Sequence, residues 1–115
     1  MHEVSFINTI FSVLKNKFSE DSIDRVTAVN VKLSPLSHVT KEGLISSYQE
    51  LARGSRFAKI KLNVEALSLS LSCRSCRKNS TRTKPVFNCP ACGSQDIEIK
   101  PAEEFIIESI EASEP

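Results

Sequence analysis

The sequence is poor in the residues that build phosphate loops and aromatic surfaces. Its 115 residues include three glycines, one methionine, one tyrosine and no tryptophan. Three scattered glycines supply no glycine-rich loop to cradle a phosphate. Charge of one sign is also missing, because 15 basic side chains face 14 acidic ones for a net charge of +1. The chain as a whole is therefore neither a basic nucleic-acid binder nor a polybasic membrane peptide. No apolar run approaches the roughly 18 residues that a membrane span needs. No nucleophile–base constellation and no paired-carboxylate site stands out, which argues against an enzyme. No internal repeats or low-complexity stretches occur. This length allows one compact domain, or a small domain carrying a module too small to fold alone.

The near-neutral sum hides a partition. Residues 1–72 carry 9 basic and 7 acidic side chains, residues 73–93 carry 5 and 0, and residues 94–115 carry 1 and 7. All four cysteines lie in the basic segment. Glu3 puts a carboxylate where a secretory signal would be basic, so the expected compartment is the cytoplasm, where thiols stay reduced. Four cysteines there point to a metal before they point to disulfides.

From Ser5 to about Ser19, Phe6, Ile7, Ile10, Phe11, Val13, Leu14 and Phe18 follow the rhythm of a helix with one buried face. Glu3 and Val4 leave room for no more than a very short strand before it. Thr27, Val29, Val31 and Leu33 alternate with polar or small neighbours as a strand does, and Ser34-Pro35 stops it. A second helix is expected from Thr40 to Arg53, with Thr40 as N-cap and Gly54 just past its end, although Gly43 weakens it. Phe57 to Ala66 alternates cleanly. The apolar parity then slips from even to odd positions at Leu67, Leu69 and Leu71, which marks a bulge or hinge where the chain leaves one packing unit for another. Ile97–Lys100 reads as a short strand. Phe105, Ile106, Ile107 and Ile110 form a strand apolar enough to return to the first sheet. The expected fold class is α+β: a βαβαβ-type unit with a small mixed sheet and two helices, plus an inserted four-cysteine zinc ribbon. The expected division is residues 1–66, completed by the strand at 103–115, and residues 67–102.

Two Cys-x2-Cys pairs, Cys73/Cys76 and Cys89/Cys92, are separated by twelve residues. Each pair puts two thiolates on a tight turn, and a tetrahedral ion joins the turns through bonds of about 2.3 Å. Between the pairs only Val86 and Phe87 are apolar, so an ion must supply the folding free energy of this segment. No histidine or carboxylate lies inside the segment to open a ligand position, and the spacing points to a structural zinc. The five cations of the segment, Arg74, Arg77, Lys78, Arg82 and Lys84, suit either a solvated face or an acidic partner. A nucleic-acid-binding zinc ribbon is the alternative reading, with Phe87 as its one stacking platform.

Met1-His2-Glu3 also has ligand chemistry. A free α-amine, the His2 imidazole and deprotonated amides of His2 and Glu3 supply four nitrogens in a plane, a set suited to Ni(II) or Cu(II). Histidine at position 2 is by itself a weak signal, and His38 reads as a surface-loop residue.

Taken in order, Met1-His2-Glu3, Leu36-Ser37-x-Val39, Cys73/Cys76 and Cys89-Pro90-Ala91-Cys92-Gly93 resemble the hydrogenase nickel-incorporation proteins, the HypA/HybF family, over essentially the whole chain. The resemblance implies a nickel metallochaperone that binds Ni(II) as transferred cargo at Met1, His2 and Glu3, with His2 indispensable. It implies zinc on Cys73, Cys76, Cys89 and Cys92. The implied partners are a nickel-handling accessory GTPase, the NiFe hydrogenase large subunit and, in some bacteria, the urease system with its accessory protein. Nucleic acid and membrane are not among them. Two departures stand out. Ser34-Pro35-Leu36-Ser37-His38 replaces the family's Gly-Glu-Leu-Ser-Gly turn, and Arg77 replaces a glycine that is common after the first cysteine pair.

Overall fold

A computed structural model describes residues 3–101 and 103–113. The chain folds as α1 (Glu3–Lys17), β1 (Val26–Leu33), α2 (Lys41–Ala52), β2 (Lys61–Ala66), β3 (Leu69–Cys73), β4 (Asn79–Arg82), β5 (Ile97–Lys100) and β6 (Phe105–Ala112). Single 3-10 turns precede β1 at Ile23–Arg25 and β2 at Arg56–Lys59. Among the described residues the strands form two separate three-stranded sheets, ordered β2-β1-β6 and β4-β3-β5. The fold class is α+β, with two helices, small mixed sheets and a four-cysteine cluster that fits a zinc ribbon.

The first sheet is mixed. β1 runs parallel to β2, with α2 as the crossover between them, and antiparallel to β6. One face takes the apolar stripes of both helices. Ile7, Ile10 and Leu14 of α1 and Leu44 and Tyr48 of α2 bury against Val29, Val31, Leu62 and Val64. Phe6 stacks on Phe105 with ring centroids 4.7 Å apart, which ties the returning strand β6 to α1. The opposite face is polar. Asn63 Nδ2 donates to Asn30 Oδ1 at 2.9 Å, and Asn30 Nδ2 donates to Ser109 Oγ and Glu111 Oε2, both at 3.0 Å. Lys32 pairs with Glu65 at 2.7 Å on the same face.

Two expectations need correction. The described chain opens directly with α1 at Glu3, so Glu3 and Val4 are helical and no strand leads the unit. The strand expected from Phe57 begins only at Lys61. Phe57 instead stacks on Phe11 with centroids 4.4 Å apart, and its carbonyl accepts from Tyr48 Oη at 3.0 Å. Those contacts hold residues 56–59 in a 3-10 turn despite their alternation. The second helix keeps its expected ends: Thr40 Oγ1 caps it by accepting from Gly43 N at 3.0 Å, and Gly54 follows it with φ +76°.

The parity slip falls between sheets. β2 ends at Ala66 in the first, β3 starts at Leu69 in the second, and between them Leu67 N–H donates to the Leu33 carbonyl at 2.9 Å. Leu69, Leu71 and Cys73 are buried along β3. β4 carries no apolar side chain, and backbone pairing to β3, from Leu69↔Arg82 to Ser72↔Asn79, defines it. The molecule is elongated, 54 × 26 × 17 Å. Among the described residues no helix is long and apolar enough to cross a membrane.

Candidate metal centres

The two Cys-x2-Cys pairs fold into matching knuckles at one end of the second sheet. In the first, Cys73 N–H donates to the Lys78 carbonyl at 3.0 Å, and Cys76 N–H points at Cys73 Sγ at 3.4 Å. In the second, Cys89 N–H donates to the Ser94 carbonyl at 2.7 Å, and Ala91 N–H points at Cys89 Sγ at 3.4 Å. Each knuckle turns back through a residue of positive φ four positions after its first cysteine, Arg77 at +61° and Gly93 at +78°. Ser75 Oγ and Ser94 Oγ, 2.8 Å apart, join the two turns.

This geometry brings all four sulfurs within 4.8 Å of one another. Cys73 Sγ lies 3.6 Å from Cys92 Sγ, and Cys76 Sγ lies 3.6 Å from Cys89 Sγ. A tetrahedron of metal–sulfur bonds of about 2.3 Å has edges of about 3.8 Å, so the donors fit a tetrahedral thiolate-bound ion such as zinc. Protonation of the thiols is uneven. The Cys92 and Ala91 N–H groups pull Cys89 down to about 6. The Cys76 N–H lowers Cys73. For Cys92 the Ser94 N–H acts downward, but burial and the neighbouring sulfurs outweigh it and push the thiol up to about 12. Four thiols this close ionise together only when a cation balances them, so a bound metal ion would hold all four as thiolates.

The basic character of the segment is partly cancelled by the structure. Arg74 pairs with Asp96 at 3.0 Å and reaches Glu98 at 3.8 Å. The first carboxylates of the acidic segment thus lie inside the ribbon expected at residues 67–102 and offset part of its positive charge. No ion pair among the described residues involves Arg77, Lys78, Arg82 or Lys84, and Phe87 is 71% exposed.

At the other candidate centre, Met1 and His2 lie outside the described residues. Glu3 is the first residue of α1, and its carboxylate lies against the first turn of α2, where a Cβ built on Gly43 would meet Glu3 Oε1 at 3.0 Å. The Thr40 hydroxyl that caps α2 comes nearer still, at 2.9 Å, so a side chain at position 43 would crowd both the cap and the carboxylate.

Sequence reading missed one site residue, Glu104. Its carbonyl accepts from Ser34 N–H at 2.8 Å, and its carboxylate accepts from Ser37 Oγ at 2.5 Å. Ser37 Oγ in turn accepts from Val39 N–H at 3.0 Å. The Leu36-Ser37-x-Val39 motif therefore fastens the turn after β1 to the segment that leads out of the ribbon. His38 lines a cavity of about 310 Å³ beside Glu104 and Ile99 at this clasp. A serine followed by an acidic residue nearly seventy positions later left no local signal.

Fold and cluster together define the class: a small α+β protein with a four-cysteine ribbon, able to hold a metal ion, inserted before its last strand. Comparison with known proteins narrows it. The family described as "Hydrogenase/urease nickel incorporation, metallochaperone, hypA" matches residues 1–112. A hydrogenase maturation factor HypA of Desulfitobacterium hafniense is 27% identical over 99% of this chain and 100% of its own length. Another, from Chloroflexus aurantiacus, is 30% identical over 80% of this chain and 82% of its own. The solution structure of the Ni metallochaperone HypA from Helicobacter pylori matches with TM-score 0.63 at 20% identity, over 97% of both chains. The chain belongs to the HypA family of nickel-incorporation metallochaperones, which act in hydrogenase maturation.

Proposed function

We propose that this protein binds one Ni(II) through Met1, His2 and Glu3 and hands it on for maturation of NiFe hydrogenase, catalysing no reaction of its own. The observation that carries this reading is the family match, which begins at residue 1 and so includes the Met1-His2-Glu3 start. Backbone chemistry supports it. The first four N–H groups of a helix have no intrahelical partner, and Glu3 is the first residue of α1. Ionising the Glu3 amide to bind a metal therefore breaks no helical hydrogen bond. The α-amine, the imidazole and two amide nitrogens make a planar nitrogen set that suits Ni(II) over zinc.

In this reading residues 1–66 with the strand at 103–115 form the nickel-carrying unit, and residues 67–102 form the ribbon. Cys73, Cys76, Cys89 and Cys92 would hold a structural Zn(II), which ties the two knuckles together. The partners are the nickel-handling GTPase and the hydrogenase large subunit, with the urease accessory system a second client route, and the setting is the cytoplasm. Untagged protein should carry about one nickel in addition to zinc. His2→Ala should lose the nickel and keep the zinc when metal content is read by native mass spectrometry. An extended N-terminus should lose the planar nickel signal, because the α-amine becomes an amide. Normal nickel content in His2→Ala would refute the assignment.

A further inference from the structure

A recess opens at the C-terminal end of α1, remote from both candidate metal centres. At about 1.5 Å per residue, the 15 residues of α1 put roughly 20 Å between Glu3 and this end. The four cysteines cluster in the ribbon, and none of them lines the recess. Its volume is about 590 Å³, a size typical of small-molecule sites. Phe18, Ile23 and Phe57 supply apolar walls, and Lys15 and Arg56 bring positive charge to them. Glu20 is the one acidic residue there, so positive charge exceeds negative by one.

Both walls are fixed by the protein's own bonds. On one side Ser19 and Ser22 cap each other, with Ser19 N–H donating to Ser22 Oγ at 2.8 Å and Ser22 N–H to Ser19 Oγ at 3.1 Å. On the other side Phe57 N–H donates to Ser55 Oγ at 3.2 Å, and the Phe57 ring stacks on Phe11. Arg56 ties the two walls together, because its Nη1 donates to the Glu20 carbonyl. That bond goes to a neutral carbonyl, so the guanidinium keeps its charge. It also uses one of five N–H donors and leaves a fork that can take a carboxylate through two bonds. Among the described residues neither Lys15 nor Arg56 enters an ion pair. Lys15 Nζ lies 6.0 Å from the centroid of the Phe57 ring, so cation and aromatic wall share one surface.

We infer that this recess binds a small aromatic carboxylate. The ring lies against Phe18, Ile23 and Phe57, and the carboxylate pairs with Arg56 beside Lys15. Charge selects this class. A neutral aromatic would displace water from two cations and return no counter-charge, and an aromatic cation would be repelled by both. One carboxylate cancels the single excess positive charge, whereas a second would face Glu20. A compact ligand fits because the Arg56–Glu20 bond limits how far the walls can part.

The test is a titration of the full-length, zinc-loaded, isotope-labelled chain with naphthoate, followed through its amide NMR shifts. The shifts should saturate and concentrate at residues 15–23 and 55–57. Naphthamide has the same shape without the charge and should bind about tenfold more weakly. Arg56→Gln should lower naphthoate affinity about tenfold, and Lys15→Gln several-fold. Amide spectra unchanged away from the recess establish that the variants fold. If Arg56→Gln disturbs the turn, Lys15→Gln decides the charge question alone, since Lys15 is exposed on α1. Four results would each overturn the inference: shifts that scatter over the surface or fail to saturate, naphthamide binding as well as naphthoate, naphthoate affinity unchanged in the folded variants, or tighter binding of a blocked Asp-Phe-Asp peptide, which would assign the recess to a protein partner.

Discussion

Arg77 and Gly93 occupy equivalent corners of the two cysteine knuckles, but only one of them is a glycine. Both have positive φ, +61° and +78°, and both let a carbonyl turn back to the N–H of the first cysteine in its pair. A side chain in the left-handed region costs roughly 1–2 kcal/mol. The chain accepts that cost at Arg77 and avoids it at Gly93. Arg77→Gly should therefore leave the ribbon intact and tighten its hold on zinc, while Gly93→Ala should weaken it by about tenfold if the strain falls on the metal-bound form. Competition with a coloured zinc chelator measures both. Equal affinity for Gly93→Ala and wild type would show that the knuckle relaxes without strain. The departure at position 77 was visible in the sequence as a missing glycine, but only the matching geometry of the knuckles shows what that glycine would have done.

At the scale of elements, legibility followed burial. α1, β1 and α2 each bury an apolar stripe and β6 half-buries Phe105, Ile107 and Ile110 against it, so their spacing was readable because burial and periodicity coincide. β4 was invisible because Asn79-Ser80-Thr81-Arg82 buries nothing and exists through backbone pairing alone. The candidate zinc ligands were equally plain, since tight turns enforce their spacing, whereas the Glu104 clasp joins residues far apart in the chain. Residues 57–60 misled for the opposite reason: they alternate like a strand, but Phe57 is captured by Phe11 and by the Tyr48 hydroxyl. That capture makes a prediction. Burial pushes the Tyr48 phenol up to about 12. Unfolded tyrosine ionises near pH 10, so above that pH the unfolded chain binds fewer protons and stability falls between about pH 10 and 12. Tyr48→Phe should cost about 1 kcal/mol at neutral pH and remove this share of the alkaline loss. Thermal melts of both proteins from pH 8 to 11 would show it. Parallel alkaline profiles would mean that the phenol ionises as readily in the fold as outside it.

Across the whole molecule, the two sheets meet a metal-loss experiment very differently. The core that holds the first sheet is built from both helices, β1, β2 and β6, and takes no residue from the ribbon. The ribbon buries little beyond Leu69, Leu71, Cys73 and Cys89. Stripping zinc should therefore melt β3–β5 and leave both helices in place. The melted segment becomes a loop of roughly forty residues between Ala66 and Phe105, and closure entropy rises by only about 0.6 kcal/mol per doubling of loop length, so β6 stays paired. The loss should nevertheless reach the other end of the chain. Thr83 and Pro85 of the ribbon line one cavity with Thr40 and Lys41, and Thr40 caps the same helical turn that Glu3 touches at Gly43. With the ribbon melted, that turn loses the part of its cavity wall that Thr83 and Pro85 supply, and the position of Glu3 against it is held less firmly. Helical circular dichroism should persist after chelation, amide exchange at residues 40–43 should quicken, and nickel binding should weaken several-fold. Collapse of the helical signal together with the zinc would show one cooperative unit instead. An unchanged nickel affinity beside intact helices would show that the cavity shared by Thr83, Pro85, Thr40 and Lys41 carries no coupling between the two candidate metal centres.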